Sequence, residues 1–202
     1  MAQAMAILTI LYNLAEGMVS VGFGLKDETL SLFGFGLDSF IEMISGLGIL
    51  AMILRIRNSP DTPRSRLEST ALRVTGGSFY VLAAGLAAGA LYNLATHHKP
   101  ESTLPGVIIS LISIAFMWRL VRGKRAAGIG LQCDPLLADA NCTLVCIYMS
   151  VVLLAASVVY ELTGFGYIDS LGAIGLVWLS IREGAEAFEK AGLLGYGTPA
   201  SD

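Results

Sequence analysis

The chain has 202 residues, 54% of them hydrophobic and 14% charged, with a formal net charge of −3. So apolar a composition excludes an ordinary soluble domain and points to an integral membrane protein, and the acidic balance gives no ground for a nucleic-acid partner. Three cysteines, Cys133, Cys142 and Cys146, are too few and too closely spaced for a secreted disulfide framework and read as reduced thiols.

The opening "MAQAMAILTI" lacks the basic stretch and cleavage site of a signal peptide and stays apolar beyond the length of one, so it reads as a first spanning helix. A bilayer core takes about 20 mostly apolar residues per helix. Cutting the chain where Pro, Arg and polar clusters interrupt predicts six spanning helices, over residues 4–24, 29–54, 70–95, 104–120, 135–160 and 170–181.

The first helix carries Glu16 near its middle, in "YNLAEG" beside Asn13. The second carries Asp38 and Glu42, four residues apart in "FGFGLDSFIEMISG". In the third, "GLAAGALY" sets Gly85 and Gly89 at the spacing of small-xxx-small packing, a close-contact surface that suits a second subunit. His97 and His98 follow in a loop, where solvated histidines are commonplace. Pro105 and Pro135 fall in the first turns of the fourth and fifth helices, where a missing N–H costs nothing, and Asp134 and Asp169 are N-caps of the fifth and sixth. Within the fifth, "ADANCTLVC" spaces Asp139, Cys142 and Cys146 by three and four, one helical face, with Cys146 at about the depth of Glu42. Cys133 belongs to another face and reads as a packing residue. The closing "REGAEAFEKAGLLGYGTPASD" is too short for a second domain and reads as a solvated helical end. The division is a membrane domain over 1–182 and a short cytoplasmic tail over 183–202.

Orientation follows from the bases. Arg55, Arg57, Arg64, Arg66 and Arg73 flank the second loop, Arg119, Arg122, Lys124 and Arg125 the fourth, and Arg182 and Lys190 the tail; Lys26 and Lys99 fall on the other side. Since Lys and Arg are enriched in cytoplasmic loops, both termini are expected in the cytoplasm.

A carboxylate in hydrocarbon is costly, about 2.5–3.5 kcal/mol for an Asp at a helix centre on insertion scales, and intramembrane acids mark ion or proton pathways by default. The predicted spans hold Glu16, Asp38, Glu42 and Asp139 against only boundary arginines, Arg73 and Arg119. Such an interior takes up protons or holds a cation. The pairs Asp38/Glu42 and Cys142/Cys146, on two helices, offer the four ligands of a tetrahedral divalent site. Asp139, Glu16 and Asn13 are expected to hydrogen-bond the ligands from behind or to line the proton path. No "GxGD" follows the aspartates, so a membrane-embedded aspartyl protease is not indicated and no enzymatic activity is expected. A channel would need charge rings supplied by oligomerisation, whereas these acids lie within one chain.

"LDSFIE" in the second helix and "PLLADANCTLVC" opening the fifth resemble the cation diffusion facilitator, or cation efflux, family of divalent-metal/proton antiporters. In that family the second helix carries an acidic or His residue four before an Asp, and the fifth usually reads "ADA" followed by His and, four later, Asp. Here those four positions are Asp38, Glu42, Cys142 and Cys146. Two departures stand out. Cysteines replace the His and Asp of the fifth helix, which favours zinc, cadmium or copper(I) over manganese or magnesium. The cytoplasmic metal-binding domain usual after the sixth helix is missing, as in the short bacterial-type members. The resemblance therefore implies a six-helix exporter of zinc-like ions by metal/proton antiport, in a bacterial inner membrane, dimerising through its lipid-embedded helices. A membrane metal-binding or sensing subunit without transport would use the same ligands.

Overall fold

The computed structural model describes residues 2–27, 29–58, 64–97, 99–130 and 134–196, and these are helical apart from short connections. Six helices follow one another: α1 (Ala2–Lys26), α2 (Leu30–Asn58), α3 (Arg64–Thr96), α4 (Leu104–Gly130), α5 (Asp134–Thr163) and α6 (Tyr167–Tyr196). Each predicted helix exists, and Pro105 and Pro135 are the second residues of α4 and α5. Cys133 and His98 lie outside the described residues.

Every helix runs past its predicted end and α3 begins at Arg64, before its predicted start at 70; α4 and α6 overrun the furthest, for one reason. Beyond Leu120, "VRGKRAAG" is rich in residues with high helix propensity and contains no proline, so α4 continues to Gly130. Beyond Ile181, "REGAEAFEK" behaves likewise. Apolarity ends where lipid would end, whereas helicity ends where a breaker stands.

Five of the helices, α1 to α5, are long and apolar enough to cross a membrane. In α6 the uncharged stretch 170–181 is bracketed by Asp169 on one side and Arg182 and Glu183 on the other. The surface bears out the solvent read from composition: Leu11, Met18, Val81, Leu91, Ile108 and Trp178 are all at least half exposed. The interior mixes apolar packing with many polar side chains, Thr9, Asn13, Ser20, Ser110, Ser113, Thr143, Ser150 and Ser180 all being fully buried. Apolar side chains outside and hydroxyls inside suit a protein whose solvent is hydrocarbon. A groove between α2 and α3, lined by Phe33, Val81 and Gly85 among others, contains no charged residue and belongs to this outer surface.

α1, α2, α5 and α4 form a closed ring in which each touches the next, and the α3/α6 pair lies against α2, with α6 also touching α5. Leu32 and Phe35 of α2, Leu86 of α3, Leu153 of α5 and Leu176 of α6 share one core. A second cluster, Met117, Leu120, Val121 and Ile147, joins α4 to α5. Tyr12 stacks on Phe116, rings 3.7 Å apart and within 9° of parallel, fixing α1 on α4.

α1 and α2 cross so closely at Gly36 that a Cβ there would sit 2.7 Å from the Val21 amide nitrogen. Backbone cannot yield as a flexible side chain does. Gly36→Ala is therefore expected to lower stability by about 1–3 kcal/mol, read as a depressed melting temperature in detergent; an unchanged one would show the crossing to be loose. The predicted Gly85/Gly89 surface is divided: Gly89 packs on the Leu30 side chain of the same chain, and only Gly85 faces open space.

One end of the bundle is tied together. The α1–α2 turn accepts a backbone hydrogen bond from Glu101 N at Asp27 O, 2.9 Å, and Thr29 Oγ1 donates to Ser102 O at 3.0 Å. Glu161 Oε1 accepts from Thr103 N at 2.8 Å and Thr103 Oγ1 at 2.9 Å, so α5 caps α4. His97 Nδ1 lies 2.6 Å from the Tyr167 hydroxyl, and Tyr160 donates to Pro100 O at 2.5 Å. Asp169 does not cap its own helix as predicted. Being the third residue of α6, it turns its carboxylate to the start of α2, accepting from Leu30 N at 2.8 Å, Ser31 N at 3.2 Å and the Ser31 hydroxyl. The negative group still meets a helix N-terminus, but a neighbour's, because α2 presents free N–H groups beside it.

The residues after Ile181 are only half a solvated end. Glu186 and Lys190 pair on the outer face at 2.7 Å, whereas Glu183, Ala187 and Ala191 are buried, and Ser69 Oγ donates to Ala191 O at 3.1 Å. Phe188 stacks near Tyr80, 5.8 Å between ring centres, and locks this part of α6 on α3.

Candidate functional site

α2 enters the ring with Leu32 and Phe35 turned to the core, which at helical spacing turns Asp38, Ser39 and Glu42 inward as well. Asp38 is 2% exposed and Glu42 5%. Across from them α5 presents Cys146, 6% exposed, whose thiol lies 3.6 Å from Asp38 Oδ2. The residues the sequence selected on two distant segments, Asp38 and Cys146, therefore meet in the bundle interior.

The carboxylates are poorly served by the protein. Among the described residues, Asp38 Oδ1 and both Glu42 oxygens are buried without a hydrogen-bond partner. Leaving a buried polar atom unpaired costs about 1–3 kcal/mol, and more when it is charged. Evicting charges to a low-dielectric interior with no compensating donor costs several kcal/mol per ion. A proton or a cation on these groups removes the debt.

Glu16 sits beside this centre in a better-satisfied setting. It is 7% exposed, and its Oε1 accepts from the Tyr12 hydroxyl at 2.9 Å and its Oε2 from Ser39 Oγ at 3.2 Å. Ser113 of α4 also reaches Glu16. Ser150 Oγ lies 3.0 Å from Ser113 Oγ and 2.7 Å from the Cys146 carbonyl. A line of hydroxyls thus runs from Glu16 past Ser113 and Ser150 to the helix turn that carries Cys146. Asn13, fully buried, has neither amide atom partnered among the described residues.

The side chains of Cys142 and Asp139 lie outside the described residues. Among the described residues, no group of three or more His, Cys, Asp and Glu side chains is arranged to hold a metal ion. Asp38, Glu42 and Cys146 converge, but not as a closed coordination shell.

Two groups escaped the sequence reading. Lys124, counted there among loop bases, is fully buried in α4, and its Nζ donates to Thr143 Oγ1 of α5 at 2.7 Å. Thr143 is three residues from Cys146, about 4.5 Å along the helix, so this lysine meets α5 one turn before the thiol. The absence of prolines between 120 and 134 was the available signal that this lysine is helical. Glu183, assigned to the tail, lines a small cavity with Glu42 and Cys146.

Compared with known protein families and with curated proteins, the chain matches none.

Proposed function

We propose that this chain is a multi-pass membrane transporter of divalent metal cations, zinc foremost, exchanging the metal for protons at Asp38, Glu42 and Cys146, with Cys142 as the fourth donor. The observation that supports this most is the set of three buried carboxylate oxygens, Asp38 Oδ1 and the two of Glu42, left without partners among the described residues beside a thiol. In this reading the six helices all span, both termini are cytoplasmic, the membrane is a bacterial inner membrane, the functional unit is a homodimer, and the relationship is to the cation diffusion facilitators.

Exchange follows from competition for the same atoms. Thiolate and carboxylate bind metal only when deprotonated, so each metal ion displaces protons, and a proton-rich compartment reverses the step. Alternating exposure comes from rocking one group of helices against another about the midplane centre. The Glu16–Ser113–Ser150 line of hydroxyls supplies a path by which displaced protons leave.

The test is zinc-dependent proton movement in vesicles reconstituted with the purified chain. Zinc binding without flux would make it a metal-binding or sensing subunit instead. Cys146→Ser carries a second expectation. Losing a soft donor should weaken zinc and cadmium binding by about 10–100-fold while leaving manganese nearly unchanged, so the order of affinities contracts. A titration in which the serine variant keeps the wild-type order would make Cys146 a packing residue.

A further inference from the structure

We infer that the outward face of α4, from Trp118 to Arg125, binds the phosphate-bearing headgroup of an anionic phospholipid. The inference needs the chain to be a membrane protein and is independent of what it carries.

α4 turns one side outward along its whole length. Ile108, Leu111, Ile112 and Trp118 are each at least half exposed, and their helical spacing puts them on that side. The same side continues into Arg119, Arg122 and Arg125, all exposed, whereas Met117, Leu120, Val121 and Lys124 are buried on the opposite side. Because α4 runs unbroken to Gly130, the three arginines stand on a rigid helix and not on a loop. They extend the lipid-facing stripe directly. From Arg119 to Arg125 is six residues, about 9 Å along the axis. The headgroup layer is about 5–8 Å deep on each side of the hydrocarbon, so the strip matches it in depth. Trp118 stands at the junction of apolar and basic surface, where indole rings favour the membrane interface.

The charge on the strip selects an anion. Among the described residues none of the three arginines is in an ion pair; the pair formed there is Lys190 with Glu186, on α6. Arg125 donates to Asn141 Oδ1 of α5 at 3.3 Å, a neutral partner that leaves its charge uncompensated. The Arg122 guanidinium is held over the Trp118 ring, 5.4 Å from its centre, which fixes its direction before any ligand arrives. A guanidinium offers phosphate two parallel N–H donors, and basic residues beside a spanning segment attract anionic headgroups. An acidic protein would meet the same charges. A phospholipid fits better, because the indole and the isoleucines below it receive the acyl chains of the molecule whose phosphate the arginines hold.

The experiment measures lipid retention by native mass spectrometry on the purified full chain in detergent, with phosphatidylglycerol or phosphatidylcholine of identical acyl chains, and records melting temperatures. The wild type is expected to retain phosphatidylglycerol about tenfold better. Replacing all three residues, Arg119→Gln, Arg122→Gln and Arg125→Gln, should bring the ratio near one, and Arg182→Gln, a base at the same end on α6, should leave it unchanged. Should the triple variant fail to fold, Arg122→Gln alone decides, with an expected fall of about threefold. Equal retention of the two lipids by the wild type overturns the inference, as does a preference that survives these substitutions or falls as far in Arg182→Gln. Inorganic phosphate raising the melting temperature as much as phosphatidylglycerol would make the occupant a free anion and overturn the lipid assignment. Stronger binding of a polyglutamate peptide would overturn it in favour of a protein partner.

Discussion

Asp38→Ala should abolish zinc-driven proton flux in reconstituted vesicles, with a loss of about a hundredfold or more, and should do so without unfolding the protein. The carboxylate is 2% exposed and, among the described residues, accepts only the long contact from Cys146, so removing it strands no donor there but a weak S–H. It also relieves the interior of a group whose other oxygen has no partner. A variant that melts at or above the wild-type temperature yet moves no protons separates function from stability. Undiminished flux would remove Asp38 from the site and with it the proposed mechanism.

Asp169→Ala acts through the fold and not through the cation. One carboxylate serves the Leu30 and Ser31 amides and the Ser31 hydroxyl, and is itself 2% exposed. Deleting it strands donors at the start of α2 and removes the negative charge from that helix end, together costing about 2–4 kcal/mol. Asp169→Asn, whose amide oxygen still accepts, should recover part of this. The check is thermal unfolding in detergent beside zinc affinity: melting falls steeply for Ala and less for Asn, while the folded fraction of each binds zinc normally. Equal melting temperatures for all three would show that α2 is positioned by its apolar packing alone.

The helices were legible because each contains a long uninterrupted apolar stretch, and the inward face of α2 was legible because two acids four apart in such a stretch have nowhere else to go. What could not be read is how far each helix runs past lipid. Lys124 and Glu183 are charged residues beyond the apolar runs, and sequence alone gives them to loops and tail; both are buried because strong helix formers carry α4 and α6 onward against their neighbours. Partner choice is likewise invisible in one dimension. Asp169 precedes its own helix's apolar stretch as an N-cap would, and only the packing of α6 beside α2 reveals whose amides it serves. Serines such as Ser113 and Ser150 carry too little local signal to be singled out, since a hydroxyl in an apolar helix is satisfied as easily by the preceding turn as by another helix.

The hydrogen bonds that gather the Asp27, Pro100, Glu101, Ser102, Thr103, Glu161, Tyr167 and Asp169 regions at one face of the bundle make it resemble a pair of tongs riveted at the handle. Spreading the helices there breaks several charge-assisted and backbone links at once. If the chain works as the proposed carrier, this rivet sets how far its helices can swing apart, and loosening it trades a firm grip on the ion for a wider opening.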